Sequence, residues 1–365
     1  MDRMLQNHKE VMSRKALRRI QKQSIREYKG GKSISKTKIG KIVERKGVQE
    51  HVYIPTGSLS KHSVSDLITA LKNVHLTGMS GNDFPVSEKI ERILKCPSRI
   101  LIVNGVECEP GLIHDRWLLE NAWEQIKSGI ETLQEMVGFQ RCILAYSMKR
   151  TQPKNKRSEN TFEICHVPAR YTMGEEHYLI KQLLGTEIKK EEYPVDKGIL
   201  VLNVQTIFQI FCVLAGAYQN GRYITAANMN TGEASVVYVE RNANIKQKVR
   251  EIFAERAELP CFAGHGMMYS HEVTDTEVFL DSTCFVAIGK PANITNQNAC
   301  KGCGRCNRKC PSGVRIREIV KRREKNMQAD ISDLGLENCI HCGSCTYFCK
   351  AGKIQWHILI DEDDI

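Results

Sequence analysis

The chain has 365 residues, 41% apolar and 26% charged, with 53 Lys+Arg against 42 Asp+Glu. That is enough chain for two or three domains with real cores, and it excludes disorder, collagen or coiled coil as a description of the whole. The formal charge of +11 is local: residues 1–50 hold 15 Lys/Arg and 5 Asp/Glu, while the rest carries 38 basic against 37 acidic residues. A nucleic-acid platform over the whole surface is therefore excluded, and the basic segment lacks the interleaved aromatics that single-strand binding uses.

Residues 3–28 fit a basic amphipathic helix, with Met4, Leu5, Val11, Met12, Leu17 and Ile20 on one face and Gly30-Gly31 ending it. Two readings stay open for residues 1–30: a solvated arm, or an arm that docks on an acidic partner or a membrane complex. No apolar stretch follows the basic start, so it does not read as a secretory signal. Gly31-Lys32-Ser33 looks like the end of a phosphate-binding loop, but the glycine that motif needs at position 26 is Arg26.

Residues 62–146 alternate between helix and strand. The pattern predicts a helix over Ser65–Asn73, turns over Thr77–Pro85 and a strand over Arg99–Asn104. Asp115 is placed to cap one long helix with Leu118, Ala122, Ile126, Ile130, Leu133 and Val137 at helical spacing, stopped by Gly138. Cys142–Tyr146 is the next strand. The charged loop after the first strand lies where open α/β sheets bind ligands. Residues 150–160 read as a surface loop, Glu176–Leu184 as a helix, Leu200–Val204 as a strand and Thr206–Ala217 as a helix. The uncharged run Gly198–Gly221 is long enough to cross a bilayer, but Asn203, Gln205, Gln209 and Gln219 make it a buried strand and helix instead. Short strands and turns fill the region from Gly221 to about Gly289.

The cysteines are as uneven as the charge. Eight of 15 lie between Cys300 and Cys349. Cys300, Cys303, Cys306 and Cys310 form C-x2-C-x2-C-x3-C before Pro311, and Cys339, Cys342, Cys345 and Cys349 repeat the spacing. This is the bacterial two-cluster ferredoxin pattern, in which three thiolates of one loop hold a [4Fe–4S] cluster and the last Cys of the other motif completes it. Cys300, Cys303, Cys306 and Cys349 are thus assigned to one cluster, and Cys339, Cys342, Cys345 and Cys310 to the second. Zinc sites show paired C-x2-C without a third and fourth Cys in step. Tight spacing and an odd total suit a reducing compartment and a metal framework, not disulfides. Lys350 stands where proline usually follows the last Cys, a cation beside a cluster. Most of the other seven cysteines read as buried small apolar residues; Cys108 stands out by its place in the charged loop after the first strand.

Three further segments suit a nucleotide or flavin pocket: Gly78 to Pro85 with Lys89, Asn104 to Gly111, and Gly174-Glu175-Glu176 with Asn203 after a later strand. Glycine lets backbone N–H groups approach a phosphate, Lys89 can pair with it, and Asn and Glu can hydrogen-bond isoalloxazine, ribose or nicotinamide. On these motifs the chain resembles the RnfC subunit family of ferredoxin:NAD oxidoreductase complexes and, more distantly, the NADH-binding flavoprotein subunit of respiratory complex I. The family's GGAGFPT-type loop is matched by Ser80–Val86 and its NAAECEP-type loop by Asn104–Pro110. Met173–Ile180, Leu202–Thr206 and Gly264–Tyr269 match its QGGEKQLI-, NNVGT- and GGPMMG-like stretches, and the cysteine array follows in order.

The resemblance implies an α/β fold: a Rossmann-like flavin/NADH domain, a β-grasp domain and an α+β two-cluster ferredoxin domain. The expected divisions are 1–50 for the arm, 51–198, 199–290 and 291–365. It implies two [4Fe–4S] clusters with FMN and NAD(H). Gly78, Gly81, Lys89, Asn104, Glu107, Gly174, Glu175 and Asn203 would lie near FMN, and Phe84, Glu109 and Glu176 near NADH. Ser80, Asn82 and Asp83 depart from the family's small residues; a carboxylate at 83 would repel a flavin phosphate. The family's N-terminal domain is missing or reduced here, its place taken by the arm and residues 34–60. Two functions follow: an NADH-dependent oxidoreductase subunit feeding a partner redox protein, or a relay subunit that keeps the clusters and has lost flavin and NADH. The expected setting is the cytoplasm, at most peripheral to a membrane or larger complex, with other redox subunits or an acceptor protein as partners and no nucleic acid.

Overall fold

A computed structural model describes residues 63–80, 84–147, 161–189, 192–253, 259–266, 270–289, 300–326 and 330–349. The expectations for the arm, for residues 150–160, for Gly81, Asn82 and Asp83, and for Lys350 lie outside these residues.

Helix α1 (Val64–Asn73) starts one residue before the predicted Ser65, on a reciprocal cap. Ser63 Oγ accepts from Asp66 N at 3.2 Å, and Asp66 Oδ2 accepts from Ser63 N at 2.9 Å. Leu67 and Leu71, one turn apart, face the core. A second helix, α2 (Val86–Ile93), follows the turn-rich stretch and was not anticipated there; Val86, Ile90 and Ile93 bury one face of it.

Strand β1 (Ile100–Gly105) is central in a parallel sheet of order β3-β2-β1-β4, with β2 at Arg141–Ser147, β3 at Glu163–Val167 and β4 at Ile199–Asn203. Both faces of β1 are buried, which explains its unbroken apolar run. Leu101 and Val103 join a large core with α1 and α2, whereas Ile102 points into a smaller one with Leu179, Ile180 and Ile188.

The single helix expected from Asp115 is two helices. Helix α3 (His114–Asn121) and helix α4 (Trp123–Val137) break at Ala122, at φ −124° and ψ 33°. Leu118, Ala122 and Ile126 keep helical spacing across the break because both helices bury them in the same core. Ile113 is the N-cap of α3; Asp115 is buried inside its first turn and caps nothing. Gly138 closes α4 in the left-handed region at φ 72°, as expected. Helix α5 (Glu176–Leu184) follows β3, and helix α6 (Val204–Leu214) follows β4 directly.

The uncharged run is therefore strand and helix, and no described helix is long and apolar enough to cross a membrane. Its glutamines serve as ties to a second sheet. Gln205 Nε2 donates to Tyr223 O at 3.2 Å, Gln205 Oε1 accepts from Tyr223 N at 2.5 Å, and Gln209 Nε2 donates to Gly221 O at 3.1 Å.

That second sheet has the order β6-β5-β9-β7-β8 and comprises β5 (Gly221–Asn228), β6 (Glu233–Glu240), β7 (Cys261–Gly264), β8 (Ser270–Glu272) and β9 (Phe285–Ile288). Only β5 and β9 pair in parallel. Helix α7 (Ile245–Phe253) lays Ile245, Val249 and Ile252 on its face. The remaining described residues form a cysteine-rich unit of α8 (Arg305–Lys309), α9 (Ile316–Lys325) and α10 (Ser344–Phe348). The two five-residue helices both start from left-handed glycines, Gly304 at φ 62° and Gly343 at φ 67°.

Candidate functional site

The predicted loops converge at the C-terminal ends of β1 and β4. Near the end of β1, Asn104 donates through Nδ2 to Gly174 O at 2.8 Å and accepts through Oδ1 from Val106 N at 3.0 Å. A Cβ on Gly174 would sit 2.8 Å from Val106 O and 3.1 Å from Glu107 O, so only glycine allows this contact. The second and third segments are thus brought together. Glu107 Oε1 accepts from Arg116 N at 3.1 Å at the start of α3. Glu109 is buried, and Gly266 packs so closely on it that a Cβ there would overlap its side chain.

The first segment is pinned on the other side. Gly78 N donates to Phe84 O at 3.0 Å, Met79 N donates to Thr206 Oγ1 at 3.0 Å, and Arg222 Nη2 donates to Met79 O at 2.7 Å. Among the described residues, a Cβ added at Gly78 would be in ordinary contact with Phe84 O, at 3.7 Å. The Lys89 ammonium lies 6.0 Å from the centre of the Phe84 ring. Burial raises the Glu176 carboxyl above the ordinary range, and the charges of Lys89 and His177 oppose that rise. Lys89, Phe84 and Glu176 therefore share a corner. Glu175 is turned away into its own helix: its Oε2 accepts from Tyr178 N at 3.1 Å as the N-cap of α5, and its Oε1 lies 3.0 Å from His177 Nδ1.

Beneath the loops lies a buried polar group of which the sequence marked only Asn203 as a site residue; His114, Asp115 and Thr225 were not marked. Asn203 caps α6 by accepting from Gln205 N at 2.8 Å and donates through Nδ2 to Asp115 Oδ2 at 2.7 Å. His114 Nδ1 is 3.1 Å from Thr225 Oγ1, and its Nε2 is 3.8 Å from Asp115 Oδ1. Burial pushes His114 down to about 3, helped by the charges of Arg222 and His265. Burial pushes the Asp115 carboxyl up to about 7, opposed by the Asn203 hydrogen bond and then by Arg222 and His265. Asp115 Oδ1 is buried with no hydrogen-bond partner. The sequence signal was present in the adjacent His-Asp pair just after the loop, but Asp115 reads there only as a cap.

These residues fit a flavin. Asp115 holds an unsatisfied buried oxygen, and amides and a carboxyl near neutrality can donate to an uncharged heterocycle. By contrast, a cavity of about 540 Å³ lies at the N-terminal ends of β1, β2 and β4, lined by Ile100, Arg141 and Ile199 among others. There Arg141 pairs with Glu163 and Lys197 with Glu192, so those charges have partners already.

The cysteines fall into two neighbourhoods. Cys349 and Cys300 act on the Cys306 thiol, whereas Cys310 acts on Cys342, and Cys342 and Cys339 act on Cys345. The second motif is seated on the flavin-type loops. Tyr171 Oη donates to Cys342 O, and the Tyr171 and Tyr347 rings meet edge to face at 6.1 Å; Tyr178 Oη reaches Ser312 Oγ, just after the first motif, at 3.1 Å. Cys108 packs, half-buried, in the same cluster as Tyr171 and Tyr347, and desolvation raises its thiol, so it acts as a packing residue. Cys300 and Cys303 of the first motif are exposed.

Residues 71–212 match the family described as Nuo51 FMN-binding domain, and residues 292–350 match the 4Fe-4S dicluster domain. The chain is 24% identical over 286 residues to the RnfC-type subunit of the Na(+)-translocating ferredoxin:NAD(+) oxidoreductase complex of Acetobacterium woodii, covering 75% of this chain and 64% of that protein.

The chain is RnfC-like.

The same kinship extends to the corresponding subunit of the proton-translocating ferredoxin:NAD(+) oxidoreductase complex of Clostridium ljungdahlii, 26% identical over 281 residues, covering 74% of this chain and 61% of that one. Its counterpart in an ion-translocating oxidoreductase complex of Buchnera aphidicola is 23% identical over 311 residues, covering 81% and 65%. The RnfC-like chain thus spans less than two thirds of these relatives' lengths. Among solved structures, an NAD+-reducing [NiFe]-hydrogenase in the H2-reduced state shares the fold at TM-score 0.53 and 17% identity, over 88% of this chain and 66% of that one. The expected flavin-type domain and cluster domain are therefore both present in one mixed α/β chain.

Proposed function

We propose that this RnfC-like protein is an electron-transfer oxidoreductase subunit that takes electrons from NADH through FMN and two [4Fe–4S] clusters to a partner redox protein. The observation that carries this is the docking of the Cys342 loop on Tyr171, three residues before Gly174 and within the flavin-type loop set. When bound, the flavin accepts electrons in pairs and the clusters pass them singly.

The chain's own residues have these roles in the proposal. Gly78, Gly81 and Lys89 receive the flavin phosphate. Asn104, Glu107, Gly174 and Asn203 line the ring side, where Asp115 holds a proton at Oδ1 near neutral pH. Phe84, Glu109 and Glu176 face the nicotinamide nucleotide. Glu175 supports that wall by capping α5. Cys300, Cys303, Cys306 and Cys349 bind one cluster, and Cys339, Cys342, Cys345 and Cys310 bind the other. We read the second sheet as a β-grasp, supported by its order, its single parallel pair between first and last strands and the helix between the second and third.

Anaerobic purification, a visible spectrum and cofactor extraction test the reading. FMN, about eight irons per chain and bleaching by NADH are expected. About eight irons with no flavin under FMN-supplemented conditions overturns the flavoenzyme and leaves the relay subunit.

A further inference from the structure

The second sheet reaches into the site through one buried cation. Arg222, the second residue of β5, is 3% exposed. Its Nη2 donates to Met79 O at 2.7 Å, and its Nη1 donates to Asp281 O. Both partners are neutral carbonyls, and a guanidinium buried on neutral partners is costly. Its charge reaches Asp115 and His114, favouring the unprotonated form of each. A cation kept in such a place suits a pocket that receives an anion.

The same contact sets a peptide plane. Met79 N donates to Thr206 Oγ1 at 3.0 Å while Met79 O is held by Arg222, so this residue is fixed at both ends. No described peptide bond is cis, and in a trans peptide the C=O and N–H point in opposite directions. With Met79 O drawn to Arg222, the Ser80 N–H is turned to the opposite side. Loop N–H groups held in this way are what an anion needs.

Asp281 completes the brace. Its Oδ2 accepts from Thr77 Oγ1 at 2.5 Å, and its Oδ1 accepts from Arg241 Nε at 2.8 Å. The loop is thus gripped from the second sheet at Thr77 and at Met79, on either side of Gly78. A need to tie the two sheets together does not account for this. Gln205 and Gln209 already do so, through Tyr223 and Gly221, the residues that flank Arg222.

We propose that Arg222 is the positioning residue of the Gly78 loop: holding the Met79 carbonyl, it presents the Ser80 N–H to a terminal phosphate and so selects FMN over unphosphorylated flavin. The inference rests on the flavin reading above and adds what makes the pocket phosphate-specific and which part of the chain supplies it.

The test uses the full-length chain, clusters loaded, flavin removed and oxygen excluded. FMN and riboflavin, which lacks the phosphate, are titrated in parallel by flavin fluorescence. The wild type should bind FMN about a hundredfold more tightly than riboflavin. Arg222→Gln should cut that preference to about tenfold or less, with riboflavin affinity within about twofold and iron content unchanged. Arg222→Lys keeps the charge but loses the fork that holds two carbonyls, and should cut it about threefold. Lys246→Gln, on α7 and paired with Asp275, should leave it within about twofold. Should Arg222→Gln lose iron or fail to fold, Thr77→Val with Asp281→Asn replaces it and should cut the preference about threefold. Equal weakening of both flavins, or an unchanged preference, overturns the proposal, because a mere tie between sheets would act in one of those ways. A Lys variant equal to the wild type overturns it too, since charge alone would then suffice. A wild type that binds neither flavin defeats the flavin reading and this proposal together, whereas a wild type that prefers FMN beside variants that do so equally defeats this proposal alone.

Discussion

The parallel-sheet region and the cysteine unit reach order by different routes. In the first, a large apolar core forms around β1, α4 and α6, and the loops of the site are fixed by their own hydrogen bonds and close glycine contacts. In the second, the buried cluster has ten residues, of which Cys306, Cys339 and Cys345 are themselves cluster ligands in our reading. Two of its helices have five residues each, too short to persist alone. The first region is a scaffold that can exist before its cofactor. The second is a loop framework whose missing core is the inorganic cluster.

The largest expected effect breaks that contrast directly. Cys345→Ser should reduce iron from about eight to about four per chain and open residues 300–349 to protease, while the body of residues 63–289 stays resistant. Co-unfolding of both regions, seen as loss of the β-sheet signal by circular dichroism, would show that the scaffold also depends on the clusters.

Next in size is a pH effect within the scaffold. Unfolded His114 titrates near 6.5 and the folded residue near 3, so its contribution to stability is lost as pH falls through that window. Asp115 goes from 3.8 unfolded to about 7 folded, so its contribution is lost as pH rises through that window. Each amounts to about 4–5 kcal/mol, and with opposite signs they nearly cancel between pH 3.8 and 6.5. Relative to wild type, Asp115→Asn should lose Tm on acidification below pH 6.5, and His114→Gln should lose Tm as pH rises from 3.8 toward 7. Parallel Tm–pH curves for all three proteins would remove the buried pair from the scaffold's account.

Gly174→Ala sharpens the claim that the site is fixed by close approach. The new methyl must displace the Val106 and Glu107 carbonyls, costing about 1–3 kcal/mol. FMN retention should fall with cluster content unchanged; full retention on extraction would mean the loop yields cheaply. The smallest change is Ser63→Ala, which removes a cap far from both cofactor regions. It should lower stability by about 1 kcal/mol in a Tm series and leave the spectrum alone.

Where local chemistry decides, the sequence was readable. Gly138 stops α4, and the cysteine spacing stands out because cluster ligation fixes residue identity at each position. Where packing decides, it was not. The break at Ala122 is invisible because α3 and α4 serve one core, so the apolar period runs through it. Helix α2 hides behind a turn-rich loop and is only eight residues long. The pairing of Asp115 with Asn203 spans 88 positions and needs β1 and β4 to be neighbours first.

The uncharged run that became β4 and α6 has a consequence for biosynthesis. Chains fold from the N-terminus as they leave the ribosome. When this run emerges, β1, α4 and β2 have already been made, and β4 needs only to slot beside β1. The longest uncharged stretch of the chain is thus synthesised after the surface that shelters it. A circular permutant that began at Gly198 would reverse that order, and its yield of soluble protein should fall even though the finished fold is the same.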